Sequence, residues 1–211
     1  MILYYSPGAC SLVAHVALEE AGAEFTPLRV TLAEGEHRRP EYLEINPHAR
    51  VPALAVEGHV ITENIAIINY IGHKWRAEGS VPLDDPIAAA KCNRFLSWFA
   101  SSVHIAFAQV WRAERFTSDT AVHPAIQQGG HDALGRYFGE IETQVGDGWL
   151  VADQFTAADS YLATFFRWGR RIEFDMTVFP RWAALVSRIA ERPAFGKTIE
   201  REGLPVEQFL L

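Results

Sequence analysis

The chain has 211 residues, 49% of them apolar and 21% charged. That is enough to bury a sizeable core in one large or two small domains without a disulfide or metal to hold it. With 19 Lys and Arg against 26 Asp and Glu, the net charge is −7, which argues against broad nucleic-acid binding because phosphate contacts need a basic face. Cys10 and Cys92 are too few for a disulfide scaffold and suit free thiols in a reducing compartment. The opening Met1-Ile2-Leu3-Tyr4-Tyr5 carries no basic residue and does not read as a signal peptide. No apolar run approaches the ~20 residues that span a bilayer, so a cytoplasmic protein without a membrane partner is expected.

In chain order, Ile2-Leu3-Tyr4-Tyr5 is an apolar run stopped by Ser6-Pro7-Gly8 and reads as a buried strand. From Ser11 to Ala21, Ala14, Ala17, Leu18 and Ala21 recur with helical spacing, and Gly22 stands where a C-terminal cap belongs. Phe25 to Leu32 alternates as a second strand, and Pro40 to Ile45 is a short helical turn. Val51 to Val56 and the run from Val60 are strands joined by Glu57-Gly58, a hairpin. Glu63 to Trp75 carries Ile67, Ile68 and Ile71 on one helical face. Gly79 to Pro86 is a linker by composition. Beyond it the strand signal ends, and helices are expected over Ile87–Arg115, Pro124–Val145, Ala157–Arg171, Pro180–Ala190 and Ala194–Glu200. The fold expected is α/β followed by all-α, with domains over 1–77 and 87–211.

Three local features carry chemistry. Cys10 and Ser11 lie between a strand and the first turn of a helix, where unpaired backbone N–H groups and the helix dipole favour a thiolate. A Cys10 pKa below the free value of about 8.5 is therefore expected, against the alternative of an inert buried cysteine. Pro52 opens a strand, and a cis Val51–Pro52 bond would turn the Val51 peptide groups outward for an extended peptide. Thr62-Glu63-Asn64 begins an apolar helix; Glu63 could accept from an ammonium and Asn64 donate to a carboxylate. Together they describe a small peptide-like thiol with an amino-acid head.

With these stretches in order, the chain resembles the glutathione transferases, and among them the bacterial beta class, which carries a cysteine in the first strand-to-helix turn. The matching stretches are Tyr5 to Leu12, Asn46 to Leu54, Ile61 to Ile67, Phe155 to Leu162 and Glu191 to Ala194. The resemblance implies a thioredoxin-like N-terminal domain, an all-helical C-terminal domain, glutathione as co-substrate, a small hydrophobic electrophile between the two domains, and a homodimer. It implies catalytic roles for Cys10, Ser11 and His104, and binding roles for Tyr5, Val51, Pro52, Glu63 and Asn64. Phe107, Trp111 and Trp168, with Phe116 beside them, are candidates to line the electrophile pocket. Phe155-Thr156-Ala157-Ala158-Asp159 reads instead as a structural cap, Asp159 reaching back to the Thr156 N–H. His15, His73 and His131 have no motif behind them and read as ordinary satisfied histidines.

The pattern departs from the class at Asn64, where serine is commoner, and at Ser97 and Ser102, where longer polar residues are common. The basic residue ahead of Asn46 falls to His37, Arg38 or Arg39. Thiol–disulfide exchange through Cys10, a non-catalytic scaffold, and a glutathione-dependent isomerase, dehalogenase or ether-cleaving enzyme are the competing readings.

Overall fold

In the computed structural model, which describes residues 1–151 and 154–211, the chain opens with β1 (Ile2–Tyr5), α1 (Ser11–Glu20) and β2 (Thr26–Arg29). Two 3-10 turns and the one-turn helix α2 (Pro40–Leu43) lead to the hairpin β3 (Ala53–Val56) and β4 (His59–Thr62), and α3 (Asn64–Trp75) follows. The sheet order is β2-β1-β3-β4. β1 and β2 are parallel, while β3 is antiparallel to both β1 and β4. This is the thioredoxin-like arrangement expected. Val56 pairs with His59 across a two-residue turn in which Glu57 and Gly58 both have positive φ, 51° and 78°, the hand that fits the twist of the flanking strands.

The remaining elements are helical: α4 (Pro86–Trp98), α5 (His104–Trp111), α6 (His123–Gln144), α7 (Ala157–Arg171), α8 (Pro180–Ala190) and α9 (Pro193–Glu202). Asp85 caps α4 by accepting from the Ile87 and Ala88 N–H groups, with Pro86 in the first turn. Thr156 and Asp159 form the reciprocal box that starts α7: the Thr156 N–H donates to Asp159 at 2.8 Å, and the Leu150 N–H donates to the other carboxylate oxygen at 2.8 Å. This is the structural role read from the sequence. Burial nevertheless holds the Asp159 carboxyl up at about 6.

α1 is buried along its whole first two turns and serves two cores. Ala14, Ala17 and Leu18 pack with Leu3, Leu54, Ile67 and Ile71 beside the sheet. Leu12, Val13 and Val16 join the larger helical core built around α7, with Phe99, Phe165, Phe166 and Trp182. Each such fully buried side chain contributes roughly 1.5–3 kcal/mol, so α1 ties the two parts together. Among the described residues no helix is long and apolar enough to cross a membrane.

Three expected elements differ: the second strand, expected over Phe25 to Leu32, spans only Thr26–Arg29, and Leu32 opens a 3-10 turn. The strand expected from Val51 begins at Ala53, because Pro52 has no N–H to give the ladder. The single helix expected over Ile87–Arg115 is interrupted by a π-helical turn, Phe99–Val103. It ends at Arg112, whose φ of −144° leaves the helix before a separate 3-10 turn over Ala113–Arg115. The π turn keeps Phe99 and Val103 fully buried and starts α5 with His104 on the inter-domain cleft.

Candidate functional site

The first strand-to-helix turn is held from across the domain boundary. Gly8 has φ +65° and no room for a side chain: a Cβ there would sit 2.7 Å from the Arg167 guanidinium carbon. Its N–H donates to the buried Glu202 carboxylate at 2.7 Å, and its carbonyl accepts from Arg167 at 3.2 Å and from the Trp168 indole at 2.8 Å. The other Glu202 oxygen bonds His15 Nδ1 at 2.9 Å; His15 is the core histidine expected but only half satisfied, since its buried Nε2 has no hydrogen-bond partner among the described residues. α7 and α9 thereby fix the turn that presents Cys10.

A cleft of about 820 Å³ opens between the two parts. From the thioredoxin-like side it is lined by Cys10, Val51, Pro52, Glu63 and Asn64; from the helical side by His104, Trp111 and Trp168. The Val51–Pro52 bond is cis. Glu63 has φ +66° at the start of α3 and caps nothing with its side chain, a backbone conformation that costs on the order of 1–3 kcal/mol in a non-glycine residue and occurs chiefly at ligand sites. It leaves the Glu63 carboxylate exposed at the cleft. The first α3 bond runs from the Ile67 N–H to the Glu63 carbonyl, so the preceding N–H groups of the turn have no intrahelical acceptor.

Four of the expected site residues stand elsewhere. Ser11 is fully buried, and its hydroxyl donates to the Ser6 carbonyl at 3.2 Å while accepting the Ser6 N–H at 3.1 Å; it tightens the turn and does not line the cleft. Tyr5 turns its hydroxyl to the Arg201 carbonyl at 3.4 Å and packs its ring on His15, away from the cleft. Phe107 is fully buried between Phe165, Phe138 and Trp168, a core residue at helical spacing, as most such aromatics are. Phe116 is exposed and outside the cleft lining. Of the basic candidates before Asn46, His37 and Arg38 line the cleft, whereas Arg39 pairs with Glu36 at 3.4 Å.

The chemistry of two residues is corrected as well. Cys10 occupies the cap position of α1 already in helical conformation, and its thiol donates to the Val51 carbonyl at 3.6 Å. Burial pushes this thiol up to about 12, with the Glu63 carboxylate adding to it, so the expected depression of its pKa is overturned. The residue's own N–H, Arg112 and Arg50 pull the other way and are outweighed. Asn64 was expected to donate to a ligand carboxylate. Its side-chain nitrogen instead donates to the Cys10 carbonyl at 2.7 Å and to the Tyr161 hydroxyl at 2.9 Å. Its buried oxygen has no partner among the described residues. The Asn64 side chain is thus spent inside the fold, and the groups left open at the α3 start are backbone N–H groups, a local arrangement that favours anions.

Tyr161 escaped the sequence reading because its segment was read as a cap. It is 1% exposed yet reaches the cleft, bonded to Asn64. Burial raises its hydroxyl pKa, and the nearby Cys10 sulfur adds to the rise. The available signal was a lone aromatic hydroxyl in the helical stretch Ala157 to Phe166. His104 stacks edge-on against Trp168, ring centroids 5.1 Å apart. Burial, then the charges of Arg115, Arg112 and Arg50, lower its pKa to about 4, so it stands as neutral imidazole near neutral pH.

Comparison with known proteins accords with this geometry. Residues 1–73 match the glutathione S-transferase N-terminal domain and residues 119–193 the glutathione S-transferase C-terminal domain. Glutathione S-transferase GstA of Escherichia coli O157:H7 is 30% identical over 206 residues, spanning 97% of this chain and 100% of that protein. A glutathione transferase homologue from Sulfitobacter, solved with bound glutathione, superposes with a TM-score of 0.89 at 27% identity over 97% of this chain and 98% of its own. The bacterial beta class enzyme of Sphingomonas chungbukensis gives 0.84 at 31% identity over 97% of this chain and 100% of its own. The chain belongs to the glutathione S-transferase family.

Proposed function

We propose that this cleft binds glutathione, lowers the pKa of its thiol, and transfers the sulfur to a small electrophile held against the helical wall. The observation that carries the reading is the convergence of four separate segments on one cleft: the Cys10 turn, Val51–Pro52, the Glu63–Asn64 helix start and His104. Val51, which lines the cleft ahead of the cis Pro52, suits pairing with the cysteinyl backbone of an extended tripeptide. The exposed Glu63 carboxylate is the acceptor for the γ-glutamyl ammonium, and the α3 N–H groups suit its carboxylate.

In this reading the sulfur that ionises is the ligand's own. Cys10 stays a thiol near neutral pH and, on ligand binding, turns its S–H from the Val51 carbonyl to the bound sulfur as a weak donor. The thiolate attacks the electrophilic carbon, forming a C–S bond as the leaving group departs with its electron pair. Thiol–disulfide exchange through Cys10 is the lesser activity, since it needs a Cys10 thiolate that burial opposes. The exposed Val60 on the edge strand β4 and Ile87 at the start of α4 support pairing of two copies, to be checked by sedimentation equilibrium.

Titration calorimetry with glutathione, followed by conjugation of 1-chloro-2,4-dinitrobenzene, tests the central claim. Binding with turnover upholds it. Binding without turnover across several electrophile classes would leave a scaffold, and absence of binding ends the reading.

A further inference from the structure

The cleft carries charge opposite in sign to the chain as a whole. On a protein of net charge −7, Arg38, Arg50, Arg112, Arg115 and Arg171 line it, against two carboxylates, Glu63 and Glu114. None of these five arginines forms a salt bridge among the described residues, whereas Arg39, Arg76, Arg181, Arg192 and Arg201 each do. The cationic groups are close enough to feel one another. Arg115 titrates below its ordinary value, through burial first and then the charges of Arg50 and Arg112, with Glu114 opposing. Gathering unpartnered like charges at a concave, partly apolar surface is unfavourable by itself and focuses a field that attracts anions.

Glutathione, on the reading above, accounts for part of this charge. Its glycyl carboxylate needs one cationic partner beside Val51, and Arg38 and Arg50 stand on that wall. Arg112, Arg115 and Arg171 belong to the helical wall, where the second substrate sits. There the Arg171 guanidinium carbon is 5.9 Å from the Trp111 ring centroid, and Trp111 is 38% exposed, so an aromatic face and a cation are offered together. We propose that the second substrate is a carboxylate-bearing electrophile, its planar body laid against Trp111 and its carboxylate held by Arg112, Arg115 and Arg171. The expected purely hydrophobic electrophile is thereby replaced by an amphipathic one. The arginines also offset the repulsion between an anionic thiolate and an anionic acceptor.

This inference rests on the transferase reading, and the experiment separates the two. 4-Chloro-3,5-dinitrobenzoate and its methyl ester differ in charge at a site remote from the reacting carbon. In both, the glutathione sulfur forms the C–S bond, the C–Cl bond breaks and chloride leaves with the electron pair. With kcat/KM normalised to the uncatalysed rate, the benzoate is expected to be preferred by about tenfold or more, the range of a charge-assisted carboxylate contact. Raised salt should shrink that preference. An Arg112→Ala, Arg115→Ala double variant should lose about tenfold on the benzoate while the ester, which also reports folding, changes less than about threefold. The corresponding double lysine variant should recover part of the loss. Equal use of both electrophiles, or equal loss on both in the double variant, overturns the inference and leaves the transferase reading standing. If neither electrophile turns over, and 1-chloro-2,4-dinitrobenzene does not either, the transferase reading falls. Calorimetric titration of the glutathione-saturated protein with the benzoate then decides: uptake abolished in the double alanine variant upholds the anionic site, and no uptake overturns it.

Discussion

The two walls of the cleft are built by different means. The thioredoxin-like wall takes its shape from backbone conformation, the cis Val51–Pro52 bond, the open start of α3 and the turn before α1, with Gly8 at φ +65° and Glu63 at φ +66°, and it adds the side chains of Cys10, Glu63, Arg38 and Arg50. The helical wall presents side chains, His104, Trp111, Trp168 and the arginines, from α5, the turn after it and α7. A wall of backbone groups recognises what every ligand of one peptide class shares. A wall of side chains can change its ligand by single substitutions without disturbing the fold. The first wall therefore suits a constant co-substrate and the second a variable one.

The comparison breaks most completely where the walls are clamped together. Gly8→Ala forces a methyl into the Arg167 guanidinium at a positive φ and disturbs the bonds to Glu202, Arg167 and Trp168. A loss of about 3 kcal/mol or more in urea denaturation is expected, with glutathione binding falling alongside. A Gly8→Ala protein of unchanged stability would mean that the clamp is not what holds the turn.

Next in size is the bridge between the walls. Tyr161→Phe removes one acceptor of the Asn64 amide, and Asn64→Leu removes both of its bonds. Costs of about 1–3 kcal/mol are expected for each. The double variant should cost less than the sum, because both changes break the same bond. Strict additivity would show that Asn64 and Tyr161 act independently.

That asymmetry between walls also governs what could be read from the chain. The strand order β-α-β-β-α, the Glu57-Gly58 turn and the Thr156–Asp159 cap are local patterns and were legible. So were Cys10, Val51, Pro52 and Glu63, because a backbone wall is made of contiguous motifs. Ser11, Tyr5 and Phe107 misled because a motif gives a residue's place along the chain and not the direction of its side chain. Ser11 spends its hydroxyl on Ser6, a choice made by a five-residue turn whose shape is set from α7 and α9. The arginines on the helical wall went unread because they gather from separate segments, and nothing at Arg112 announces Arg171. The Cys10 pKa failed for a related reason: the helix start is a local feature and burial a tertiary one, and here burial wins.

A smaller effect sharpens that last point. Because burial holds the Cys10 thiol up to about 12, its alkylation by iodoacetamide should be slow at neutral pH and still climbing above pH 9. Cys10→Ala should change conjugation kcat/KM by less than about tenfold while abolishing any mixed disulfide with glutathione. Rapid alkylation at neutral pH, levelling off below pH 8, would restore Cys10 as the ionised sulfur.

The last effect is a slope. With His104 at about 4 in the folded chain against an ordinary 6.5, the unfolded chain holds more protons across that window. Stability therefore rises with pH from about 4 to 6.5 and is lost on acidification. Asp159 works in the opposite sense: raised from 3.8 to about 6, it keeps its proton when folded, so its contribution falls as pH rises through nearly the same window. The two slopes partly cancel in the whole protein, and a single pH–stability curve conceals both. His104→Gln removes one of them. Urea midpoints of the variant and the parent, subtracted at each pH, should leave a difference that grows as pH rises from 4 and flattens above 6.5. A difference constant with pH would mean that His104 titrates as it does in the unfolded chain, and that neither its burial nor the nearby Arg115, Arg112 and Arg50 shift it measurably.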